Sequence, residues 1–492
     1  MQEHPLLIGA AGHPVTITAR MANRHGLIAG ATGTGKTITL QVLAQGFSDM
    51  GVPVFVPDIK GDLSGISAAG SASERVYARA RRVGLDRLEF RGAPTIFWDA
   101  LGEHGHPLRL TLADFGPVLL SRLLNLNDTQ TGLMQLVFRV ADDRGWLLLD
   151  LKDLLAMLAW VHDHRRDLNS RYGTVAPASI GAIQRSLLAL EAQDGERFFG
   201  EPAVTLDDFL QTDADGRGVV NILHAERLYR NSPLIYSTLL LWLLSELFEQ
   251  LPEVGDPDKP RCVLFFDEAH LLFRDTPKSL VDRIEQVVRL IRSKGVGIYF
   301  VTQSPTDLPE PVLGQLGNRV QHALRAFTPR DQRAVRVAAQ TFRPNPDLDT
   351  EAVLTELGVG EALVSVLDAA GRPTPVQRTL IRPPASRMGP LTNSERRAIL
   401  EGSVLAGVYD EPLDRESAYE ILQQQAEAAL DAERTVEVHP QRPASTRSPA
   451  RGSRRREGML AATARSTVRS IGTQIGRQIV RGLLGSLTGR RR

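Results

Sequence analysis

Two textures alternate along this chain: short continuous apolar runs bounded by Gly, Pro or Asp, and longer stretches in which apolar positions recur every three or four residues. Between residues 14 and 58 the order is an apolar run at 25–29 (HGLIA), the glycine-rich GATGTGKT at 30–37, a helical stretch at 38–50 and a second run at 52–56 (VPVFV). That order opens a parallel α/β sheet. From about residue 113 the texture becomes helical, with Leu-rich segments at 118–126, 132–142, 147–164 and 180–191, read as a helical insertion over 113–210. Strand texture returns at 218–223, 261–266 and 297–301, with helices at 233–251 and 277–294 between them. Continuously apolar strands predict a sheet covered on both faces. Runs at 319–327 and 361–367 are expected to complete it and 373–381 to form an edge ribbon, giving a folded core over 1–387.

Beyond the core, 388–430 reads as a helical extension, and 431–460, rich in Pro, Ser and Arg, as a disordered linker. Over 461–492, Val468, Ile471, Ile475, Ile479, Leu483 and Leu487 recur at helical spacing with Arg between them, which predicts a basic amphipathic helix. No internal repeat is present.

Composition narrows the class. At 492 residues and 42% hydrophobic, the chain has room for two or three domain-sized units. The single Cys262 excludes an internal disulfide. The first residues carry no apolar run with a cleavage site, so a reducing cytoplasm is the expected location. The most apolar stretches, 147–161 and 239–248, are shorter than a bilayer requires, so no transmembrane segment is expected. Residues 441–492 hold 13 Arg and one Glu, so the other 440 residues carry a net charge of about −11 out of the whole-chain +1. A basic, amphipathic tail on an acidic body suits DNA, a partner helix or an anionic membrane face.

The candidate chemistry begins at Gly30-Ala31-Thr32-Gly33-Thr34-Gly35-Lys36-Thr37, which matches G-x-x-x-x-G-K-[ST] between a strand and a helix. Its glycines let backbone N–H groups converge on phosphates, Lys36 is placed for the β and γ oxygens, and the Thr37 hydroxyl for Mg²⁺. RCVLFFDEAH supplies an apolar strand ending in Asp267, suited to hold magnesium, and Glu268, suited to polarise an attacking water. The alternative is a solvated strand end that caps the next helix. His270 is read as packing. Gln303, after the run at 297–301, faces the γ-phosphate if that strand lies beside the one before Gly30; otherwise it is a turn residue before Pro305. Arg289, Arg292, Lys294, Arg319 and Arg325 are candidates for a cation reaching a neighbouring subunit's site, Arg292 first, against simple surface solvation. Asp58, Lys60 and Asp62 sit where α/β ligands bind or merely cap a turn. The pairs His104/His106 and His162/His164 lack companions at metal-site spacing.

Taken in order, GLIAGATGTGKTITLQ, VPDIKGDLSG, VLFFDEAHLLF, LIRSKGVGIYFVTQSP and GQLGNRVQHALRAFTP closely resemble the bacterial YjgR-like proteins, a branch of the HerA/FtsK group of P-loop ATPases. The resemblance covers residues 1 to about 430 and implies an α/β, RecA-like fold of the additional-strand, catalytic-glutamate type. It also implies ATP and Mg²⁺ as ligands and a homo-oligomeric, hexameric ring acting on DNA through its pore and basic tail. It favours Lys36, Thr37, Asp267, Glu268 and Gln303 in the roles above, with Arg292 as the arginine finger. With Gly30 this close to Met1, the long N-terminal β-barrel of many HerA proteins is not expected. The same residues also suit an ATPase that remodels protein partners or a nucleotide-gated scaffold, with the helical insertion as docking surface.

Overall fold

All eight apolar runs read as strands enter one twelve-stranded sheet in the computed structural model, which describes residues 5–273 and 278–437. In chain order the strands are β1 (Leu6–Ala10), β2 (Pro14–Ile17), β3 (Gly26–Ala29), β4 (Val54–Asp58), β5 (Thr95–Asp99), β6 (His106–Pro107), β7 (Val220–His224), β8 (Cys262–Phe266), β9 (Val296–Thr302), β10 (Asn318–His322), β11 (Glu361–Ser365) and β12 (Gln377–Ile381). Their spatial order is β2-β1-β12-β11-β10-β3-β9-β8-β4-β7-β5-β6. From β10 to β6 every neighbour is parallel, whereas β2, β1, β12 and β11 add an antiparallel wing. The strand β9 separates β3, which leads into the glycine-rich loop, from β8, which ends in the two carboxylates. That is the additional-strand arrangement.

Period-two alternation within each strand fills both faces. On one face Ile28, Val54, Val56, Val263, Phe265, Tyr299, Val301 and Val320 pack with Leu40, Leu43, Ala44 and Phe47 of the helix Lys36–Asp49. The alternate residues Phe55, Leu264, Phe266, Ile298 and Phe300 are equally buried. The helix thus rests on the strands that carry the site, which fixes the loop preceding it.

The sheet departs from expectation at one end. The run at 373–381 is not an edge: β12 lies between β11 and β1, and β2 is the edge strand. Its half-exposed alternation resembles an edge ribbon, and the short β1 that covers it is too brief to read as a strand on its own. Strands β5 and β6 were also unanticipated.

The chain divides into two units, Met1–Leu110 with Pro202–Pro412, which holds the whole sheet, and Thr111–Glu201 with Leu413–Arg492. The second contains the helices Leu112–Leu123, Asp128–Arg144, Leu151–Asp163, Arg165–Tyr172 and Pro177–Glu191, together with Ala418–Glu437. Capping boxes at Asn127/Gln130 and Asp150/Asp153 start two of them, and Pro117 after the non-helical Gly116 kinks the first. Asp153, fully buried, accepts from Leu149 N, Ser417 Oγ and Tyr419 N and so ties the last helix to this bundle. The stretch 388–430 therefore resolves into Asn393–Glu401 in the sheet unit and Ala418–Glu437 in the helical one. The Ala- and Glu-rich sequence carries the latter into the stretch read as linker, through Glu437. The rest of the linker and the basic helix over 461–492 lie outside the described residues. No helix among the described residues is long and apolar enough to cross a membrane.

Candidate active site

The loop Gly30–Thr37 is stapled to the strands on either side. Gly30 N donates to Thr302 O (3.2 Å) at the end of β9, and Ala31 N donates to Ala323 O (2.9 Å) just past β10. Thr34 closes the turn, its N and Oγ1 both donating to Ala31 O. Gly33 has φ +78° and Gly30 φ +151°, backbone that only glycine adopts without strain. The helix begins at Lys36, so its unpaired N–H groups and the positive end of its dipole point into the loop. Lys36 is buried, and its Nζ donates to Gly30 O (2.6 Å) and Ala31 O (3.2 Å). Burial and the nearby Lys60 ammonium push its pKa down, opposed by Glu268 and Asp267. Thr37 is half-buried, while Thr32 and Gly33 are exposed.

At the end of β8 both carboxylates are buried. Asp267 Oδ1 accepts from Glu268 N (2.9 Å), and burial pushes its pKa up to about 6 against the pull of Lys60. Glu268 takes the left-handed conformation (φ +47°), which is strained for a residue with a side chain. Its Oε1 is 2.5 Å from Lys60 Nζ. Burial alone would raise the Glu268 carboxyl, but the Lys60 hydrogen bond and charge outweigh it and hold it below the ordinary value. Lys60 is correspondingly raised: burial opposes, and Asp267 and Glu268 prevail. His270 Nδ1 lies 3.3 Å from Glu268 Oε2 without hydrogen-bond geometry, so that oxygen accepts nothing among the described residues. His270 therefore faces the site as well as packing beside it.

Asp58, at the end of β4, caps the turn: its oxygens accept from Gly61 N (2.7 Å) and Leu63 N (3.1 Å), and burial pushes its pKa up to about 6. By fixing that turn it aims Lys60 at Glu268. Lys60 thus joins the site, whereas the sequence favoured the turn cap over a ligand role for it.

Gln303 follows Thr302, whose register partner is Ala29, so it stands exposed beside Gly30. Arg292 is exposed in the turn Ile291–Lys294 at the amino end of β9. That is a strand length, about 20 Å, from the loop at the parallel strand's carboxyl end. It does not reach its own chain's loop. Arg319 is committed elsewhere, donating to Leu313 O, Leu316 O and Thr341 O. Arg325 is exposed. Nothing in the local sequence singles out His322, which is buried with its ring between Thr39 Oγ1 (2.8 Å) and Glu361 O (2.9 Å) and braces the loop's helix against β11. Its neutral form follows from burial, which lowers its pKa to about 4.

The donors fit a nucleotide with magnesium. Thr37 carries a hydroxyl and Asp267 a carboxylate, hard oxygen donors of the kind Mg²⁺ prefers, and no group of three His, Cys, Asp or Glu among the described residues forms a metal cage. Mg²⁺ takes such a sparse set when phosphates and water complete its octahedron.

The family described as "Helicase HerA-like C-terminal" matches residues 5–492. Two proteins of Methanocaldococcus jannaschii are similar over shorter stretches. "Probable helicase MJ1565" is 27% identical over 147 residues, 30% of this chain and 28% of that protein. "Probable helicase MJECL08" is 30% identical over 125 residues, 25% of this chain and 22% of that protein. The chain thus matches less than a third of the length of these curated relatives. Among solved structures, the bacterial conjugative coupling protein TrwBdeltaN70 shares the fold at 14% identity, covering 78% of this chain and 92% of that one with a TM-score of 0.52. Plasmid coupling protein TrwB in complex with ADP and Mg²⁺ does so at 15% identity, covering 79% and 94%, with a TM-score of 0.51.

Proposed function

The chain belongs to the HerA-like helicase C-terminal family, and on that premise we propose that it is a cytoplasmic, Mg²⁺-dependent ATPase that assembles into a hexameric ring and moves DNA. The observation that carries the reading is the convergence of Lys36, Asp267 and Glu268 at the carboxyl ends of β3 and β8, with Gln303 just past the end of β9 between them. Gly30 to Thr37 bind the triphosphate through backbone N–H groups and the helix terminus, and Lys36 neutralises β and γ oxygens. Thr37 and Asp267 hold magnesium, which supplies charge neutralisation at the phosphates. Glu268, with one oxygen that accepts from no donor among the described residues, orients a water and accepts its proton, a role worth about 10²–10⁴ in rate. Gln303 senses the γ-phosphate. Arg292, remote from its own loop, acts on the adjacent subunit. TrwB's complex with ADP and Mg²⁺ supports the choice of ligands.

A second reading, an ATPase acting on protein partners, draws on the net charge of about −11 over residues 1–440 and on the presence of a second, helical unit as a candidate docking surface. Steady-state ATP hydrolysis with and without duplex and single-stranded DNA, at low and moderate salt, beside Lys36→Ala, separates the two. Stimulation that fades with salt and depends on Lys36 supports the DNA motor. Deleting residues 438–492 should then remove stimulation and spare basal turnover. Lys36-dependent turnover indifferent to DNA favours the protein-directed reading, and turnover no faster than that of Glu268→Gln rejects hydrolysis.

A further inference from the structure

Lys60 Nζ sits 2.5 Å from Oε1 of the residue placed as general base, and the ion pair joins unlike partners. The Glu268 side chain is 9% exposed on a strained backbone, whereas the Lys60 side chain is 39% exposed on a turn built from Asp58 and the left-handed Gly61. The ammonium is therefore the half that moves at small cost. Two residues on, Asp62 presents Oδ1, buried and without a hydrogen-bond partner among the described residues, and its charge already acts on Lys60. A buried acceptor left unpaired is destabilising. One ammonium thus pairs with the buried Glu268 and feels the charge of the half-buried Asp62, whose Oδ1 is left over.

We propose that Lys60 is a positioning residue that restrains Glu268 by pairing with it and releases it by moving to Asp62, so that turnover is set by which carboxylate holds the ammonium. The inference rests on the ATPase reading above. A carboxylate whose Oε1 is held by an ammonium has that oxygen directed away from water; moved to Asp62, the ammonium leaves both Glu268 oxygens free and satisfies the orphan acceptor. Lys60 and Asp62 lie on the surface turn after β4, which makes this turn the route by which a bound polymer or neighbouring subunit biases hydrolysis.

The test uses full-length protein with ATP and Mg²⁺. Lys60→Met and Lys60→Gln should raise kcat at least about threefold, a small part of what a freed general base supplies, with KM within about twofold of wild type. Lys60→Arg, which keeps the cation, should stay near wild type. Asp62→Asn should lower kcat, because the release partner is lost, and Lys60→Met/Asp62→Asn should behave as Lys60→Met. In a Glu268→Gln background Lys60→Met should change nothing. A kcat at or below wild type in both Lys60 variants, a rise in KM that marks Lys60 as a phosphate ligand, or loss of folding in both, overturns the restraint. Absence of Lys36-dependent hydrolysis in the wild type overturns the ATPase reading and this inference with it, whereas normal wild-type turnover with inert Lys60 variants removes the inference alone.

Discussion

Two glycines of the phosphate-binding loop are indispensable for different reasons, and alanine at each should separate them. At Gly30 a Cβ would lie 2.5 Å from His322 Cβ and 3.1 Å from its Cα, with φ at +151°. His322 cannot yield cheaply, because Thr39 and Glu361 O pin its ring. Backbone of that kind costs about 1–3 kcal/mol in a residue with a side chain, and overpacking about as much again. Gly30→Ala should therefore destabilise the sheet unit by about 3–5 kcal/mol, a fall in Tm on the order of 10 °C at about 2–4 °C per kcal/mol. At Gly33, with φ +78°, a Cβ meets nothing within 4 Å. Only the left-handed conformation is penalised there, by about 1–2 kcal/mol, so Tm should fall a few degrees. Reorienting the peptide turns an N–H away from the phosphates, so Gly33→Ala should lose at least about tenfold in affinity for a fluorescent ATP analogue. Thermal melts and equilibrium titration of both variants decide the matter. Equal melting losses, or a Gly30→Ala protein as stable as wild type, would refute the steric argument.

Other consequences follow from burial and charge. His25 is buried, bonded to Val288 O and Ile298 N, and its pKa is lowered to about 4. Because the unfolded state binds its proton first, stability from His25 is present above pH 6.5 and is lost as pH falls toward 4, by up to about 3 kcal/mol. The gap in denaturant stability between wild type and His25→Gln should shrink across that window. The Cys262 thiol, buried and pushed up to about 12, should resist a disulfide reagent at pH 8 until denaturant is added. Arg319→Ala should cost about 3 kcal/mol in a denaturation curve, since three carbonyls lose a charged donor. Arg292→Ala, exposed, should change stability by under about 0.5 kcal/mol yet lower turnover by 10²-fold or more. Mixing Arg292→Ala with Glu268→Gln subunits should restore some activity if the arginine acts between subunits.

How much was legible depended on how far apart the cooperating residues lie in the chain. The loop Gly30–Thr37 is a contiguous backbone device, so its glycine spacing, the strand before it and the helix after it appear together in one stretch. The carboxylates were legible for the same reason: an apolar strand ending in Asp267 and Glu268 carries its own context. Strands β3, β4, β7, β8 and β9 were readable because burial on both faces makes each a continuous apolar run. In the antiparallel wing β11 and β12 were readable as segments, but β1 and β2, and with them the inner place of β12, were not, because these two short strands form only by pairing with each other and with β12.

The amino-acid sequence by itself determined the class of fold, the phosphate-binding loop and the acidic pair, since each is written within a few turns of chain. Only the tertiary structure decided that β8 pairs with β4, which brings Lys60 to Glu268 across 208 positions, and that His322 meets Thr39 across 283. Local periodicity states which segments are strands but not their neighbours. Strand order is settled by which long-range pairings bury the most apolar surface and satisfy the most backbone, a competition among segments that no single stretch of sequence contains.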